Sequence, residues 1–516
     1  MVKMFLARRR KLIGGNRMRM SLSRDAAWFG WPIAAIVCLL LSYQGGNVIS
    51  GAIIESDASQ NLRMAYNLYA NGILSRKAEA PFVPTNYREP LPPTVIAAFL
   101  ALSADIHRPL ALQGLFEGEG ARLVKRVNVV WIALGLVGCW VLAYLMCRRH
   151  WVSLFAVLAA YLLFFSAKVT ADTLYTELPA AVLLVWTAVV LVWLTHSNRL
   201  WPSALSGLLL GMLALTKALF LYVFLALLLF LVLYYILVRR DLKISTRWIA
   251  MTLFSLCFLV TVGSWMVRNK VALDRFEISQ RGGIVLLVRA LKNEMRTDEV
   301  AGSYWYWGPG LYKRLVRGSP WGFGDTDFAL GGRFQRLNRD IGKGDGEAET
   351  TTKPQGAVSF YWQARASRQQ LKGEFTAAGR EHPDNAADDM LRARAVQMIV
   401  AAPGVHLAMT PLFLWRGIWC FPDVQLPFNA GGYQGYVINA VNAVAYLSLF
   451  GVFAFGLARR RYDLVAMTVV PLGMLACGAL FSHNIPRYSA PAIPIMLISL
   501  LVAMCGVAVG CPKRGR

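Results

Sequence analysis

Long apolar segments, separated by short clusters of arginine and lysine, occur throughout the chain. Of its 516 residues, 56% are hydrophobic and the mean hydropathy is +0.45, whereas soluble domains contain about 45–50% apolar residues. An apolar segment of about twenty residues can cross a bilayer as one helix. The sequence therefore predicts an all-α polytopic membrane protein.

We expect about ten transmembrane helices, with both chain termini in the cytoplasm. The first apolar segment follows a basic stretch and precedes no small-residue cleavage site, which favours a membrane helix over a signal peptide. The apolar run at 201–238 is nearly twice as long as one span, so it is assigned two helices. The predicted spans lie near residues 28–51, 122–146, 151–168, 175–195, 201–238 (two helices), 248–267, 436–457, 463–481 and 488–510.

The basic clusters determine the predicted orientation. Arg148, Arg239 and Arg459 each begin a cluster in a short connection, and such connections lie in the cytoplasm. These clusters account for much of the net charge of +25, so no nucleic-acid partner is expected. If the apolar piece at 405–421 spanned the membrane, it would place Arg459 outside. This piece, which contains Arg416, is therefore predicted to be an amphipathic or re-entrant segment on the outer face.

The same pattern divides the chain into regions. The predicted regions are a basic cytoplasmic N-terminus at 1–27, a transmembrane module at 28–267 with surface helices in its first outer loop at 52–121, a mixed extracytoplasmic domain at 268–434 and C-terminal transmembrane helices at 435–516. Within the outer domain, 342–352 is expected to be a loose loop. The 8 cysteines are scattered singly, which indicates apolar packing and not a metal or disulfide framework.

Two carboxylates, Glu55 and Asp57, follow the first predicted span, where the chain leaves the membrane. Such a pair can hold a cation or accept a proton. Apolar residues then recur at helical spacing up to Gly72, which predicts a helix on the bilayer surface that ends at this glycine. Asp57 also suits the role of N-cap for that helix.

Further charged side chains are predicted at the outer ends of separate spans, where short connections should lack cations. The cations are Arg88, Lys217, Arg268 and Arg487, the last followed by Tyr488, and a second acidic site consists of Asp172 and Glu177. Lysine and arginine donate charge-assisted hydrogen bonds to phosphate, and arginine can do so with two bonds at once. We therefore expect these cations to hold an anion at the outer face.

Each of these residues also has a structural explanation. A single outer arginine or lysine can extend to phospholipid headgroups. Asp172 can cap the following helix, Glu177 can face the dipole at its N-terminus, and Tyr488 can anchor the chain at the membrane interface. The recurrence of acids and cations on one face, after separate spans, favours a common site.

Taken in order, several motifs resemble those of the GT-C glycosyltransferases. Within that superfamily the chain is most similar to the bacterial branch of the protein mannosyltransferase and lipid A aminoarabinose transferase family. The motifs are Glu-Ser-Asp at 55–57, the surface helix ending in Ala-Asn-Gly at 70–72, Arg-Glu-Pro-Leu-Pro-Pro at 88–93, Leu-Thr-Lys at 215–217, Trp-Met-Val-Arg-Asn at 265–269 and Ile-Pro-Arg-Tyr-Ser-Ala-Pro at 485–491. Together they extend over most of the chain.

The resemblance implies transfer of one sugar from a polyprenyl-phosphate donor to a lipid, glycan or protein acceptor on the outer face of the inner membrane. Asp57 would take the catalytic position, as a general base, and Glu55 would assist it or face a metal. The cations and Tyr488 would bind the donor phosphate, and direct attack by the acceptor would invert the anomeric centre. A divalent cation, Mg²⁺ or Mn²⁺, is an expectation of the same kind, because metal use varies within the family.

Two other classes fit a multispan chain with charges at its outer face. A flippase or transporter of lipid-linked sugars would use the cations to bind a headgroup in transit, but it predicts polar residues through the bilayer midplane, and several of the predicted spans are almost wholly apolar. An O-antigen ligase or polymerase also has a large outer loop, but that class has no acid motif after its first span.

Overall fold

The computed structural model describes residues 24–104, 111–339, 341, 359–380, 382–422 and 433–508. In these residues the regular structure is helical throughout, without a strand. The protein is an all-α polytopic membrane protein, as its apolar segments predicted. Most of the predicted N-terminal region at 1–27, and the loose loop expected at 342–352, lie outside the described residues.

Seven helices in the described residues are long and apolar enough to cross a bilayer. The most central of them is Glu177–His196, in which 83% of an apolar stretch of 18 residues is buried inside the protein. This helix packs against Val127–Cys147, Trp201–Ala214 and Tyr462–Phe481. The seven helices are Gly118–Cys147, Glu177–His196, Phe220–Val238, Ile244–Leu273, Gln434–Arg459, Tyr462–Phe481 and Pro486–Gly506.

The other three predicted spans correspond to helices of a different kind. Arg24–Asn47 has 24 residues and contains Pro32, whereas His150–Phe165 and Trp201–Ala214 are shorter apolar helices. At 1.5 Å per residue, Trp201–Ala214 is about 21 Å long, which is less than the roughly 30 Å of the hydrocarbon core. Both shorter helices lie where the sequence predicted spans, and each ends about three residues before a lysine, Lys168 or Lys217.

The piece predicted to be amphipathic or re-entrant lies within a sharply bent pair of helices. Pro403–Ile418 meets Pro383–Ala401 at an angle of 104°. Pro403 at the first helical position suits the start of the second helix. The two helices therefore do not form one straight span.

The segment predicted to be the first outer loop contains a helix where the sequence predicted one. Ser56–Asn71 fully buries Leu62 and Ala65 and packs against Leu91–Ala104. It ends at Gly72, whose φ of 68° lies in the left-handed region that glycine adopts at low cost.

The Arg-Glu-Pro turn of this loop is docked on two segments that are distant in the sequence. The Leu91 N–H donates to the carbonyl of Leu215 at 3.0 Å. The Glu89 carboxylate accepts from the Ala218 N–H and the Ser279 hydroxyl, each at 3.4 Å. The loop, the turn around residue 217 and the start of the outer domain thus meet at one place.

The described part of the predicted outer domain is built from helices around a second apolar core, which also includes side chains of Pro403–Ile418. Asp388 accepts hydrogen bonds from the N–H groups of Gly283 and Ile284 at 2.8 and 3.1 Å. These bonds satisfy free donors at the start of Gly282–Leu291, which packs on Pro383–Ala401. The helices of the domain are Gly282–Leu291, Thr297–Tyr306, Gly310–Leu315, Phe360–Ala377 and Pro383–Ala401.

Candidate active site

Asp57 lies at the centre of a cluster of three arginines. Its Oδ1 contacts Arg88 Nη2 at 2.9 Å and Arg281 Nη1 at 3.0 Å, and its Oδ2 contacts Arg487 Nη2 at 2.6 Å. Each arginine comes from a different part of the chain: the first outer loop, the start of the outer domain and the start of the last span. The Asp57 side chain is 21% exposed, so the cluster is partly accessible from outside.

Arg487 connects Asp57 to a second carboxylate. Its Nε lies 3.5 Å from Glu177 Oε1, and Lys217 Nζ contacts the same oxygen at 2.9 Å. The Glu177 side chain is only 7% exposed. We call the whole ion network the charged site; its members are Asp57, Arg88, Glu177, Lys217, Arg281 and Arg487.

Aromatic rings cover the cations of the charged site. Lys217 Nζ is 5.5 Å from the centroid of the Tyr488 ring, and the Arg487 guanidinium lies over Tyr175 at 4.6 Å. These distances are those of cation–π contacts. Because the rings exclude water, the charges interact at a lower effective dielectric than they would at an open surface.

The arginines keep Asp57 ionised. Burial by itself raises the pKa of Asp57, but the positive charges of Arg88, Arg281 and Arg487 and the hydrogen bond from Arg487 outweigh it and hold the pKa far below its usual range. A carboxylate with so low a pKa is a weak base. In this arrangement Asp57 holds the three guanidiniums together, and its role as a general base stays a prediction for the site with a ligand bound.

The expected Mg²⁺ or Mn²⁺ site at Glu55 and Asp57 does not fit this geometry. Glu55 is exposed and occupies the N-cap position of Ser56–Asn71 without a side-chain capping bond. Asp57 is already surrounded by three guanidiniums, which would repel a divalent cation. In the part of the chain that the structure describes, no group of three His, Cys, Asp or Glu side chains is placed to hold a metal.

Of the two residues of the predicted second acidic site, Glu177 belongs to the charged site and Asp172 does not. The Asp172 carboxylate accepts from the N–H and the hydroxyl of Ser50 at 2.8 and 2.5 Å and from Lys125 Nζ at 3.0 Å. The Lys125 side chain is 1% exposed. These bonds join the end of the first predicted span to two other segments, which is a structural role.

Arg268 contacts none of the members of the charged site. Its Nη1 donates to Asn269 Oδ1 at 2.9 Å and to the carbonyl of Thr85 at 3.4 Å. The guanidinium lies 4.8 Å from the Trp265 ring centroid. None of the described carboxylates forms an ion pair with it, so Arg268 has hydrogen-bonding capacity left for a ligand.

Arg281 is the member of the charged site that the sequence did not identify. It precedes Gly282–Leu291 and reaches Asp57 across 224 positions of the chain. The only signal was its place beside two glycines near the start of the outer domain. That place indicates a turn but gives no reason to expect an ion pair.

Fold and site together define a polytopic helical membrane protein with a partly buried ion network at the junction of its spans, its first outer loop and an additional helical domain. No protein-family model matches the chain. No curated protein matches it either.

The chain is similar to several solved structures at low identity. Archaeoglobus fulgidus oligosaccharyltransferase in complex with Zn and sulfate has 10% identity and a TM-score of 0.44, covering 92% of this chain and 49% of that chain. Arabinosyltransferase EmbB from Mycobacterium smegmatis has 16% identity and a TM-score of 0.33, covering 92% and 41%. ArnT from Cupriavidus metallidurans in the apo state has 14% identity and a TM-score of 0.33, covering 94% and 78%.

The chain thus spans about half the length of the archaeal oligosaccharyltransferase. Glycosyltransferases are among the matched structures, and they are the class that the sequence motifs resemble.

Proposed function

We propose that the protein is a membrane glycosyltransferase that moves one sugar from a polyprenyl-phosphate donor to an acceptor on the extracytoplasmic face of the inner membrane. The observation that supports this best is the charge balance of the charged site. It contains four cations, Arg88, Lys217, Arg281 and Arg487, but only two carboxylates, Asp57 and Glu177. A formal excess of two positive charges is costly in a partly buried place unless an anion occupies it.

The excess of two positive charges matches the charge of the released lipid phosphate more closely than the charge of the bound donor. A polyprenyl-phosphate sugar is a phosphodiester with one negative charge, and the lipid phosphate released from it acquires a second as the glycosidic bond breaks. Fixed cations therefore stabilise the leaving group more strongly than the donor, which lowers the barrier. Arginine is suited to this task because its planar guanidinium can hold two phosphate oxygens at once.

Asp57 acquires a second role when a phosphate is bound. The phosphate competes for the N–H groups of Arg88, Arg281 and Arg487, so the carboxylate loses part of the stabilisation that keeps its pKa low. Its basicity then rises, and it becomes able to take the proton of an acceptor hydroxyl in the loaded site. Attack by that hydroxyl on the face opposite the leaving phosphate inverts the anomeric centre.

Sulfate and a dolichol-phosphate are bound in solved structures of the archaeal oligosaccharyltransferase. We propose the same kind of ligand here, a lipid-linked phosphate, with membrane lipid around the spans and an envelope lipid, glycan or protein as the acceptor. The Zn of that structure has no counterpart in this proposal, since Asp57 is surrounded by guanidiniums.

Alanine variants of three cations test the proposal. Charge-assisted hydrogen bonds contribute about 1.5–3 kcal/mol each, so Arg487→Ala is expected to lower the transfer rate at low donor concentration by roughly ten- to a hundredfold. Lys217→Ala should have a similar effect, and Arg268→Ala a smaller one, because Arg268 lies outside the charged site. Arg487→Lys should restore only part of the activity if the contact is bidentate.

The matched control is Arg459→Ala, an exposed arginine in the last turn of Gln434–Arg459. It should transfer sugar at the wild-type rate. If Arg487→Ala and Lys217→Ala both transfer sugar at the wild-type rate, the donor phosphate does not bind in the charged site. Movement of the lipid across vesicles without release of polyprenyl phosphate would favour the transporter class.

A further inference from the structure

A second group of cations lines a pocket between the outer domain and the loop before the last span. The pocket is small: the centre of a water-sized sphere can move through about 10 Å³ of it. We call it the basic pocket; its basic lining residues are Lys292, Arg336, Arg339, Arg416 and His483. None of these residues belongs to the charged site, although the His483 and Tyr488 rings lie 5.5 Å apart, centroid to centroid.

Lys292 is the least expected member of the basic pocket. The residue is 4% exposed, and the described part of the chain offers its ammonium group neither a carboxylate nor a hydrogen-bond acceptor. The ammonium lies over the rings of Trp307 and Phe413, with centroids at 4.8 and 5.6 Å. Burial, followed by the charges of Arg416, Arg289 and Arg339, lowers the pKa of Lys292 well below its usual value.

The neighbours of Lys292 increase the imbalance. Arg416 donates to the carbonyl of His483 at 3.0 Å and lies over the Trp307 ring at 4.4 Å, and it pairs with no described carboxylate. His483 is 6% exposed, and its Nδ1 is buried without a hydrogen-bond partner. Several donors of hydrogen bonds thus converge on one pocket with unused capacity.

Among the described carboxylates, Glu299 contacts a cation of the basic pocket, and it is already engaged. Glu299 contacts Arg336 Nη1 at 3.5 Å and accepts a hydrogen bond from the Arg296 N–H at 2.9 Å. That contact neutralises Arg336, whereas Lys292 and Arg416 have no carboxylate partner among the residues that the structure describes. An isolated buried cation is costly, and proteins ordinarily pair it or neutralise it.

We propose that the basic pocket binds an oxyanion, a phosphate or carboxylate group of the substrate that is distinct from the scissile phosphate of the donor. An ammonium, a guanidinium and an imidazole nitrogen around one pocket can donate to the several oxygens of such a group. The inference rests on the proposed function and deepens it: one substrate carries an anionic group besides the phosphate held in the charged site.

Inorganic phosphate is the first probe, used with the detergent-purified full-length protein and with sodium chloride at matched ionic strength. Phosphate is expected to raise the thermal unfolding midpoint, and the concentration dependence gives an apparent dissociation constant. Lys292→Met should unfold at the wild-type temperature or above it without phosphate, because the variant removes an unpaired buried cation. Its apparent affinity for phosphate should fall at least tenfold.

Lys313→Met is the matched control, since Lys313 Nζ also lies over an indole, that of Trp305 at 4.6 Å, but does not line the pocket. It should retain the wild-type response to phosphate. Arg487→Ala tests whether the two sites are separate. If the basic pocket is distinct from the charged site, the Arg487→Ala variant should keep the part of the phosphate-dependent rise in unfolding midpoint that depends on Lys292. Arg416→Gln provides a second removal of charge from the pocket, with the same expected loss.

A Lys292→Met protein that unfolds earlier than the wild type and responds normally to phosphate would show that Lys292 is a structural cation, and the proposal would be wrong. An unchanged phosphate response in both Lys292→Met and Arg416→Gln would overturn it as well. The binding measurement does not depend on sugar transfer. A Lys292-dependent phosphate response without any transferase activity would therefore contradict the proposed function and leave the pocket standing.

Transfer assays then distinguish the two sources of the anion. If the acceptor carries it, Lys292→Met raises the acceptor KM at least tenfold and leaves the donor KM unchanged. If the donor carries it, the two effects are reversed. Unchanged KM values for both substrates would show that the pocket holds no substrate group.

Discussion

At the scale of single residues, the protein depends on how Asp57 is surrounded. An aspartate at the start of a surface helix is ordinarily a cap, but here the N-cap position belongs to Glu55, and the Asp57 carboxylate faces Arg88, Arg281 and Arg487. The negative charge therefore stabilises the cations around it, and its removal should lower the rate of transfer per folded molecule as well as the stability.

Asp57→Asn tests this directly. Asparagine has nearly the same shape, so Ser56–Asn71 should remain intact, but the unfolding midpoint should fall because three partly buried guanidiniums lose their carboxylate. The rate of transfer at saturating donor should fall by at least about 10², because the variant has neither charge nor basicity. Donor lipid should bind equally well or more tightly, since three guanidiniums are left without their carboxylate. Near wild-type turnover of this variant would show that another acid is the general base, and Glu177 is the next candidate.

The low pKa of Asp57 makes a second prediction, for the pH dependence. Its pKa in the free enzyme lies below the usual aspartate range, so the charged form is present throughout the physiological range and is lost only as the pH falls through that low pKa. A plot of kcat/KM, which reports the free enzyme, should therefore show no acid limb due to Asp57 between about pH 5 and 7. An acid limb in that range that Asp57→Asn abolishes would contradict the three-arginine cluster.

Glu177 and Lys217 should behave as a coupled pair. Both side chains are largely buried and meet at 2.9 Å, so removing one partner leaves an uncompensated charge, at a cost of about 3–5 kcal/mol. The double variant Glu177→Gln with Lys217→Met should be more stable than the sum of the single variants predicts, by at least about 1 kcal/mol in a thermodynamic cycle. Simple additivity would show that the ion pair does not form.

At the scale of structural elements, similar acids have different tasks. Asp172 joins Ser50 and Lys125 and so connects the end of Arg24–Asn47 to other helices, whereas Asp57 gathers arginines. This difference was not available from the sequence, in which Asp172 and Glu177 look like one acidic site. The partners of Asp172 lie 122 and 47 positions away, and only the fold selects them.

Asp172→Ala should therefore affect stability more than chemistry. It leaves Lys125 buried without its carboxylate, at a cost of up to about 3–5 kcal/mol, reduced by the two carbonyls of Ser50 and Ala52 that the ammonium also reaches. We expect an earlier thermal unfolding midpoint and near-normal transfer per folded molecule. Lys125→Met should partly restore the midpoint. Loss of turnover without loss of stability would give Asp172 a functional role.

At the scale of the whole molecule, the order of apolar segments and basic clusters was sufficient to predict a helical polytopic protein. Alternation of the spans was sufficient to place Asp57, Glu177, Lys217 and Arg487 at the same side, and the structure brings these residues into contact. Arg281 could not be found in this way, because its position depends on the outer domain. Hydropathy does not predict how that domain packs on the charged site.

Accessibility of introduced cysteines tests the predicted orientation. In a background without native cysteines, Leu315→Cys and Ala458→Cys are suitable because Leu315 is 76% exposed and Ala458 is also exposed. Leu315 lies in the outer domain, and Ala458 lies next to the Arg459 cluster that should face the cytoplasm. A membrane-impermeant thiol reagent added to intact cells should label only Leu315→Cys. Labelling of Ala458→Cys alone would show that the orientation is the reverse of the predicted one.

The central claim is that the cations of the charged site stabilise a lipid phosphate as it leaves a sugar. The most direct measurement is the release of polyprenyl phosphate by the purified protein in vesicles, with a panel of polyprenyl-phosphate sugars, an extract of envelope acceptors and mass analysis of the product. The account predicts that one donor yields polyprenyl phosphate and glycosylated acceptor in equal amounts, and that Asp57→Asn lowers both by at least about 10². Release of polyprenyl phosphate at the same rate by the wild type and by Asp57→Asn, for every donor, would contradict it.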